Sequence, residues 1–318
     1  MASPQVSICI PAYNAARWIG EALTSALGQT WQDLEVVIVD DASTDETAEI
    51  VRGCGDRRVR LWANAHNAGQ SATSNRALRL SRGPFIKFLH ADDTLEPECV
   101  AEFVELFERH ETLGMAFSRR QVVLEDPSDP AARAWQRRSA ELHEPLGRLD
   151  ELNAGPELFE RHLADGFSSN WVGEPSCVMV RRTALLRSKT FNLRIRQMVD
   201  VDLWVRLMAD SDVGFIDREL STYRFTSRGV TARVVPVSAN WLDKLWLLEG
   251  LATLPDVWRR HPQLATLRRA EVRGRLGELG VRGRERRLQR DQVRDMAAYL
   301  GHRARSVVGA DSPVLGTL

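Results

Sequence analysis

Apolar runs typical of buried strands alternate with segments of helical periodicity along the first 110 residues. The runs are QVSICI, LEVVIVD, RVRLWA and PFIKFL, and the helical segments between them include ARWIGEALTSALGQ and GQSATSNRALRLS. Runs that are apolar throughout suit parallel strands covered on both faces, whereas a sheet with one wet face shows alternation. The pattern predicts a doubly wound α/β sheet, in which ligands bind beyond the carboxyl ends of the strands.

Polar side chains gather where these four runs end, in the sequences PAYN, VDDAS, NAHNAG and HADD. No G-x-G-x-x-G and no G-x-x-x-x-G-K-[ST] follows any of the runs, which argues against a dinucleotide site and excludes a P-loop. Phosphates bound at this edge must therefore be neutralised in another way. Adjacent carboxylates can hold a divalent cation that bridges phosphate oxygens.

The same segments, in the same order and spacing, resemble the nucleotide-binding half of the family 2 inverting glycosyltransferases, which have the GT-A fold. The resemblance is close over residues 5–110 and looser to about residue 231. It implies a GT-A-like doubly wound mixed sheet in a catalytic domain at 1–235, with nucleotide-sugar binding in 1–110 and acceptor binding in 111–235. The implied reaction moves a sugar, with inversion, from a UDP- or dTDP-type donor to an acceptor hydroxyl.

In that family, the segment matching PAYN and the aspartates matching VDD hold the nucleoside. The resemblance implies that Tyr13 and its neighbours flank the base and that Asp41 binds the pyrimidine edge, with Asp40 beside it. A carboxylate can accept the ring N–H of uracil or thymine, and a tyrosine ring can stack on the base. The alternative is that both aspartates are ordinary turn residues after a strand. The implied nucleotide-binding set is Pro11, Ala12, Tyr13, Asn14, Asp40, Asp41, Asn67, Gly69 and Asp92.

The metal-binding motif of the family usually reads D-x-D-D, and here it reads His90-Ala91-Asp92-Asp93. The resemblance implies that Asp92 and Asp93 hold Mn²⁺ or Mg²⁺ at the diphosphate. His90 is then a nitrogen ligand, a neutral hydrogen-bond partner or a residue that packs under the loop. With one carboxylate fewer than the family, both the affinity for metal and the choice of metal are open.

Two further positions that contact the diphosphate in the family differ in this chain. Ser74 stands where the family often has an arginine, and Thr226 where it often has a histidine. With His90, these replacements suggest an altered donor site, looser metal dependence or another source of positive charge, for which Arg224 and Arg228 are the candidates. Together with His90, they also motivate an alternative function, a catalytically degenerate nucleotide-sugar-binding or scaffold protein of the same fold.

The stretch QMVDVDLWVRLMA resembles the family motif E-D-x-D-L-W-L-R, whose second acid is the general base. The match implies that Asp200 is the base, while Val199 replaces the preceding glutamate and should make the carboxylate more basic. Asp200 also stands where a helix N-cap is expected, and the two roles are compatible. We expect three residues to face the sugar or acceptor: Trp171, Glu174 and Trp204. The alternatives are that Trp171 is a core or rim aromatic and that Glu174 is a turn residue.

The rest of the chain has fewer motifs. Residues 125–145 are polar and proline-punctuated, which predicts a surface excursion. Residues 236–318 predict an Arg-rich helical region, and 256–305 hold 14 Arg against 6 acidic residues. This region is expected to pack on the catalytic domain, to form a homodimer or to make peripheral contact with a membrane. A solvated helix face is the bland alternative.

Composition bounds the class of protein. Of the 318 residues 43% are hydrophobic, and Lys+Arg and Asp+Glu both count 43, so net charge indicates no nucleic-acid partner. Four cysteines form no C-x-x-C pair, which favours a reduced setting. No leader-like segment precedes the first strand and no apolar stretch is long enough to span a bilayer. We therefore expect a cytoplasmic protein, with or without peripheral contact at the inner face of the membrane, and a glycan, lipid-linked or small-molecule acceptor.

Overall fold

The computed structural model describes residues 3–140, 142–226, 241–281 and 288–307. Within them, one sheet contains β1 Val6–Ala12, β2 Leu34–Asp40, β3 Val59–Ala63, β4 Phe85–Phe88, β5 Thr94–Leu95, β6 Leu113–Leu124, β7 Leu152–Asn153, β8 Val178–Arg181 and β9 Asp212–Phe225. The helices are α1 Ile19–Leu27, α2 Thr47–Gly53, α3 Gln70–Leu80, α4 Cys99–Arg109, α5 Pro130–Ala140, α6 Gly155–Ala164, α7 Arg182–Ser188, α8 Val199–Met208, α9 Asp243–Ala252, α10 Pro255–Arg260, α11 Gln263–Val281 and α12 Leu288–Val307. The strand order is β3-β2-β1-β4-β8-β6-β9-β5, and β7 pairs with β9.

Strands β1 to β4 form the parallel part of the sheet. β1 pairs with both β2 and β4, and β2 pairs with β3. Every residue of β2 and of β4 is buried, as expected of continuous apolar runs covered on both faces. The register places Ala12 opposite Asp40 and Asp40 opposite Ala63, so three strands end at one edge. The four strands predicted from the sequence are confirmed.

The second half of the sheet is mixed. β8 runs antiparallel to β4 and β6, whereas β6 and β9 are parallel to each other. β6 is a twelve-residue strand that the sequence did not predict, because the adjacent charges of Arg119 and Arg120 interrupt its apolar pattern. In the polar segment 125–145, α5 packs Ala132 against Tyr223 and Phe225, so this helix is partly buried rather than a surface excursion.

Helices α9 to α12 form the helical C-terminal region. Trp246 of α9 belongs to the same buried cluster as Trp204 of α8. Within the region, the Glu249 carboxylate of α9 accepts hydrogen bonds from Tyr299 Oη at 2.8 Å and from Arg303 at 3.0 Å, both in α12. The described part of the region therefore packs on the body of the chain and ties its own helices together.

A mixed α/β sheet followed by helices confirms the fold class predicted from the sequence. The predicted domain boundary between residues 235 and 236 lies outside the described residues, which are interrupted at 227–240. Among the described residues, no helix combines the length and the apolarity that crossing a bilayer requires.

Candidate functional site

Asp41 directly follows β2 and holds the chain that leaves β3. Its carboxylate accepts hydrogen bonds from Asn64 Nδ2 at 2.6 Å, from the Ala68 N–H at 2.8 Å and from the Gly69 N–H at 2.8 Å. The residue is 2% exposed, so a ligand would have to share a carboxylate that is already well bonded. Asp41 thus shapes the loop before α3, a role that the sequence did not predict, and its contact with the base stays a prediction.

Asp40, one residue earlier, is also buried but is bonded differently. Its Oδ2 accepts the Ser43 N–H at 3.2 Å, whereas its Oδ1 has no hydrogen-bond partner among the described residues. A buried acceptor left without a donor costs about 1–3 kcal/mol, which a ligand N–H placed there would recover. Of the two adjacent aspartates, Asp40 therefore has the free acceptor.

The residues after β1 lie at the same edge. Tyr13 is 50% exposed, which leaves its ring accessible for stacking on a planar ligand. Asn14 has a φ of 49°, and its Oδ1 accepts the Thr44 N–H at 2.8 Å, which joins the turn after β1 to the turn after β2. Asn67 is exposed on the loop after β3. The predicted nucleotide residues thus gather at one edge, and their contact with a nucleotide stays a prediction.

His90, Asp92 and Asp93 follow β4 and converge on one point. One ligand atom from each lies within 4.8 Å of the others. Asp93 is buried, and the other two side chains are partly exposed. Carboxylate oxygens suit Mg²⁺ and Mn²⁺, and both ions complete their coordination with water or phosphate oxygens. The donor set therefore fits a divalent cation that keeps coordination positions for a ligand.

The Asp93 carboxylate accepts the Ser176 hydroxyl at 2.5 Å and the Arg224 N–H at 2.9 Å. Burial, followed by the negative charge of Asp92, raises the pKa of Asp93 well above its usual range. Within the described part of the chain, neither carboxylate has a lysine or arginine ion pair. A cation bound between them would relieve the repulsion between the two negative charges.

The His90 ring lies at the rim of this cluster and does not merely pack under the loop. Its Nε2 lies 3.1 Å from Gln70 Nε2, and its Nδ1 lies 4.0 Å from Asp93 Oδ2. Burial lowers the pKa of His90, against an opposing effect of the Asp92 charge. The neutral ring that burial favours can either ligate a metal or hydrogen-bond, so both of these alternatives remain.

Ser176 and Lys87 support the cluster through hydrogen bonds, and sequence reasoning missed both. Ser176 Oγ donates to Asp93 and accepts the His90 N–H at 3.0 Å. Lys87 is fully buried, and its Nζ donates to the carbonyl oxygens of Ser176 and Val178. A lysine inside the otherwise apolar run FIKFL was a usable signal, whereas a serine in a turn was not.

Arg224, predicted to bind the diphosphate, is largely engaged within the protein. Its Nε donates to the Asp92 carbonyl oxygen at 3.0 Å, and its guanidinium pairs with Glu21 at 2.7 Å and lies 4.0 Å above the Trp18 ring. These contacts fix the loop of the aspartate pair to α1. Arg224 would have to release or share them to reach a diphosphate. The other candidate, Arg228, lies outside the described residues.

Asp200 stands in the first turn of α8, across the site from the strand ends. The N-cap position is Met198, with no side-chain capping bond, so the alternative that Asp200 caps the helix is wrong. Burial, with a smaller effect of the Glu174 charge, raises the pKa of Asp200 to about 8. A carboxylate with a pKa raised in this way is a stronger base than a solvated aspartate.

One pocket joins the two sides of the site. Asp200 and Val199 of α8 line it together with His90 and Ser74 of the donor side. Ser74 is the position where the family often has an arginine, and its short side chain leaves this wall uncharged. The full lining is Pro11, Gln70, Ser71, Ser74, Phe88, His90, Pro175, Phe191, Val199 and Asp200.

The three predicted acceptor residues differ in what they contact. Glu174 forms an ion pair with the buried Arg120. Trp171 is partly buried and stacks on His162 with a centroid distance of 4.3 Å. Trp204 is 1% exposed and donates from Nε1 to the Gly173 carbonyl oxygen at 3.1 Å. The prediction that Trp204 faces the acceptor is therefore corrected, because it lies in the core and supports the 173–174 turn from within.

Comparison with known proteins identifies relatives for most of the chain. Residues 7–185 match the family model described as Glycosyl transferase family 2. The protein MT1568 of Mycobacterium tuberculosis (strain CDC 1551 / Oshkosh), described as uncharacterized, is 37% identical over 254 residues, which is 80% of this chain and 77% of that protein. The chondroitin synthase of Pasteurella multocida (strain Pm70) is 39% identical over 127 residues, 39% of this chain and only 13% of the synthase.

Solved structures share the fold. S. aureus TarS 1–349, in complex with UDP-GlcNAc, aligns with a TM-score of 0.59 and 15% identity over 97% of this chain and 93% of its own. The mannosyltransferase PcManGT from Pyrobaculum calidifontis, in complex with GDP-Man and Mn²⁺, aligns with a TM-score of 0.53 and 18% identity over 98% of this chain and 88% of its own. At these identities the likeness shows the GT-A-type fold alone.

Proposed function

The chain belongs to glycosyl transferase family 2, and we propose that it is an inverting enzyme that moves a sugar from a UDP- or dTDP-type donor to an acceptor hydroxyl. The observation that supports this most directly is the pocket, whose lining includes both Asp200 and His90, the latter a member of the aspartate cluster. A donor bound along the strand ends would present its anomeric carbon between these two groups.

The pyrimidine assignment is supported by acceptor groups at the edge of the sheet. Asp40 Oδ1 is buried without a donor among the described residues, and Tyr13 offers an exposed ring. A uracil or thymine ring would donate its N–H to the carboxylate and stack on the tyrosine. TarS is solved with UDP-GlcNAc, which agrees with this assignment, but PcManGT is solved with GDP-Man, so the fold itself does not select the base.

The proposed metal is Mn²⁺ or Mg²⁺, held by Asp92 and Asp93 with His90 as a third ligand or a hydrogen-bond partner. The raised pKa of Asp93 and the convergence of three possible ligand groups support a cation at this point. When bound, the ion would neutralise charge on the departing diphosphate. The protein holds the ligands in place through Ser176 and the Arg224 backbone.

Asp200 is the proposed general base. Its carboxylate takes the proton of the acceptor hydroxyl as the oxygen forms a bond to the anomeric carbon. The bond from that carbon to the diphosphate oxygen breaks on the opposite face, so the configuration inverts. A single base suffices, because no covalent sugar–enzyme intermediate forms. Within the described part of the chain Asp200 accepts no hydrogen bond, which leaves both of its oxygens for an acceptor.

A degenerate binding or scaffold protein is the second candidate. The residues that favour it are His90, Val199 and Thr226, each of which replaces a polar residue common in the family. Such a protein would bind the nucleotide without transferring the sugar. The cytoplasmic location, the acceptor class, and a homodimer or membrane contact through the C-terminal helices stay predictions.

A panel of nucleotide sugars, each with Mn²⁺ or Mg²⁺, tests the proposal. We expect UDP or dTDP with metal to raise the melting temperature, since a ligand at a hundredfold excess over Kd stabilises by about 2.7 kcal/mol. We also expect release of the nucleoside diphosphate from one donor of the panel. A shift with GDP alone would overturn the base assignment. Nucleotide binding without turnover of any donor, across glycan, lipid-linked and small acceptors, would favour the scaffold.

A further inference from the structure

The turn that leads into α8 is held by a residue of the C-terminal region. The backbone N–H groups of Arg196, Gln197 and Met198 all donate to the carboxylate of Asp243, at 3.1, 2.7 and 3.1 Å. Asp243 is the first residue of α9 and is 2% exposed. Three consecutive amides converging on one buried carboxylate make a rigid joint, because charge-assisted bonds to backbone N–H groups are among the stronger hydrogen bonds in proteins.

The same segment is fixed at its other end. Asn75 of α3 donates from Nδ2 to the Phe191 carbonyl oxygen at 2.9 Å and accepts the Phe191 N–H at 3.0 Å, and both bonds are buried. Asn192 Nδ2 donates to the Trp246 carbonyl oxygen of α9 at 3.2 Å. The segment 191–198 therefore runs from the donor half to the C-terminal helix, with Phe191 in the wall of the pocket.

Asp200 lies two residues beyond this joint. Its carboxylate accepts no hydrogen bond within the described part of the chain, so its location follows from where the first turn of α8 lies. That turn begins after Met198, the last of the three amides that Asp243 binds. The N-cap residue of α8 makes no side-chain capping bond, and the joint to α9 bonds the three backbone N–H groups that directly precede the helix.

We propose that Asp243 is a positioning residue for the proposed base Asp200, through which the C-terminal helix α9 sets the geometry of the reaction. The inference rests on the proposed function, since it gives Asp243 a catalytic consequence only if Asp200 is the base. Asp243 is not among the residues that line the pocket, so its proposed effect on the reaction runs through the position of Asp200. Misplacing a reacting group by about 1 Å can cost about a hundredfold in rate, so a joint of this kind is expected to affect kcat.

The variant that tests the proposal is Asp243→Asn, with Glu249→Gln as its matched control. Asparagine keeps the size but replaces one acceptor oxygen by an amide that cannot accept an N–H. Glu249 lies on the same helix and is also buried, but its carboxylate bonds Tyr299 and Arg303 of α12 rather than the 196–198 turn. The control therefore weakens the C-terminal packing without touching the joint.

For Asp243→Asn we expect kcat to fall by about 10- to 100-fold while the KM for donor and the thermal shift with UDP and Mn²⁺ stay unchanged. Amide hydrogen exchange over residues 196–202 should speed up in the free protein. The acid limb of the kcat profile should move as Asp200 shifts relative to Glu174 and His90, the titratable groups near it. Glu249→Gln should leave three quantities unchanged: kcat, the acid limb of the kcat profile, and amide exchange over residues 196–202.

Unchanged exchange at 196–198 in Asp243→Asn would overturn the joint, whether or not a donor has been found. Equal losses of kcat in both variants would overturn the positioning role in favour of general destabilisation. If Asp243→Asn does not fold, Asn192→Ser removes the other bond to α9, and an unchanged kcat there also overturns the proposal. If the wild-type protein turns over no donor, the proposed function is wrong instead. The comparison of amide exchange then still tests the joint by itself.

Discussion

The carboxylates on the two sides of the site are held in different ways. On the donor side, Asp41 accepts three hydrogen bonds from the loop after β3, and Asp93 accepts one from Ser176, just before β8, and one from Arg224 of β9. On the acceptor side, Asp200 accepts none within the described residues, although burial raises its pKa to about 8. The difference indicates that the donor side is organised before a ligand binds. Asp200 has the free carboxylate that the proposed general base requires.

The largest effect is expected from Asp200→Asn, which removes the free carboxylate. General-base catalysis typically contributes about 10²–10⁴-fold, so transfer should fall by that factor while donor binding persists. In wild type, the rate should fall as pH drops below about 8, where the carboxylate of Asp200 takes up its proton. Initial rates against pH measure both. Equal rates for wild type and variant on a competent donor and acceptor would remove Asp200 from the mechanism.

The same variant should be more stable than wild type at high pH, although it transfers sugar more slowly. The pKa of Asp200 is raised to about 8 in the folded chain, so its contribution to stability is present at low pH and is lost as pH rises through that value. Asparagine cannot ionise and avoids this loss. Thermal unfolding should show Asp200→Asn more stable than wild type above pH 8 and similar to it in acid. A variant less stable at every pH would contradict the burial of the charge.

The next largest effect is expected at the metal cluster. Asp92→Ala, which leaves the bonds of Asp93 to Ser176 and Arg224 intact, should raise the metal concentration needed for the UDP thermal shift by about tenfold or more. His90→Asp restores the residue usual in the family and should lower it. Metal titrations monitored by thermal unfolding give both values without a turnover assay. If neither change alters the metal requirement, the cluster is not a metal site.

A smaller effect separates the two adjacent aspartates after β2. Asp41→Ala removes three hydrogen bonds to a buried carboxylate and should lower the free energy of unfolding of the free protein by about 1–3 kcal/mol. Asp40→Asn should change stability less, since within the described residues the Asp40 carboxylate accepts only the Ser43 N–H, but should weaken the UDP shift. Chemical denaturation and ligand titration distinguish the two. A full UDP shift in Asp40→Asn would assign base recognition to Asp41, as first expected from the sequence.

The smallest effect is expected from Glu174→Gln. Burial is the larger cause of the raised pKa of Asp200, and the negative charge of Glu174 raises it further. Removing that charge should lower this pKa and move the acid limb of the kcat profile to lower pH by a fraction of a unit. Glutamine can still accept a hydrogen bond from Arg120, which limits the loss of stability. A pH profile at constant ionic strength shows the shift. A limb that moves to higher pH would contradict the assignment.

The sequence by itself determined the parallel core of this protein. Strands β1, β2 and β4 are predominantly apolar runs, and burial on both faces leaves that pattern whatever the neighbouring strands are. The residues that follow them were visible for the same reason, since parallel strands end at one edge. His90, Asp92 and Asp93 were therefore expected together, and the structure brings them together.

Only the tertiary structure decided which distant groups serve those residues. Ser176 reaches Asp93 across 83 positions because β8 runs antiparallel to β4, which brings the chain entering β8 to the end of β4. Arg224 and Asp243 are likewise placed by sheet order and helix packing. A sequence pattern records whether a face is buried, but it does not record which remote segment buries it. The partners of Asp93 and the joint before Asp200 therefore became visible only once the chain was folded.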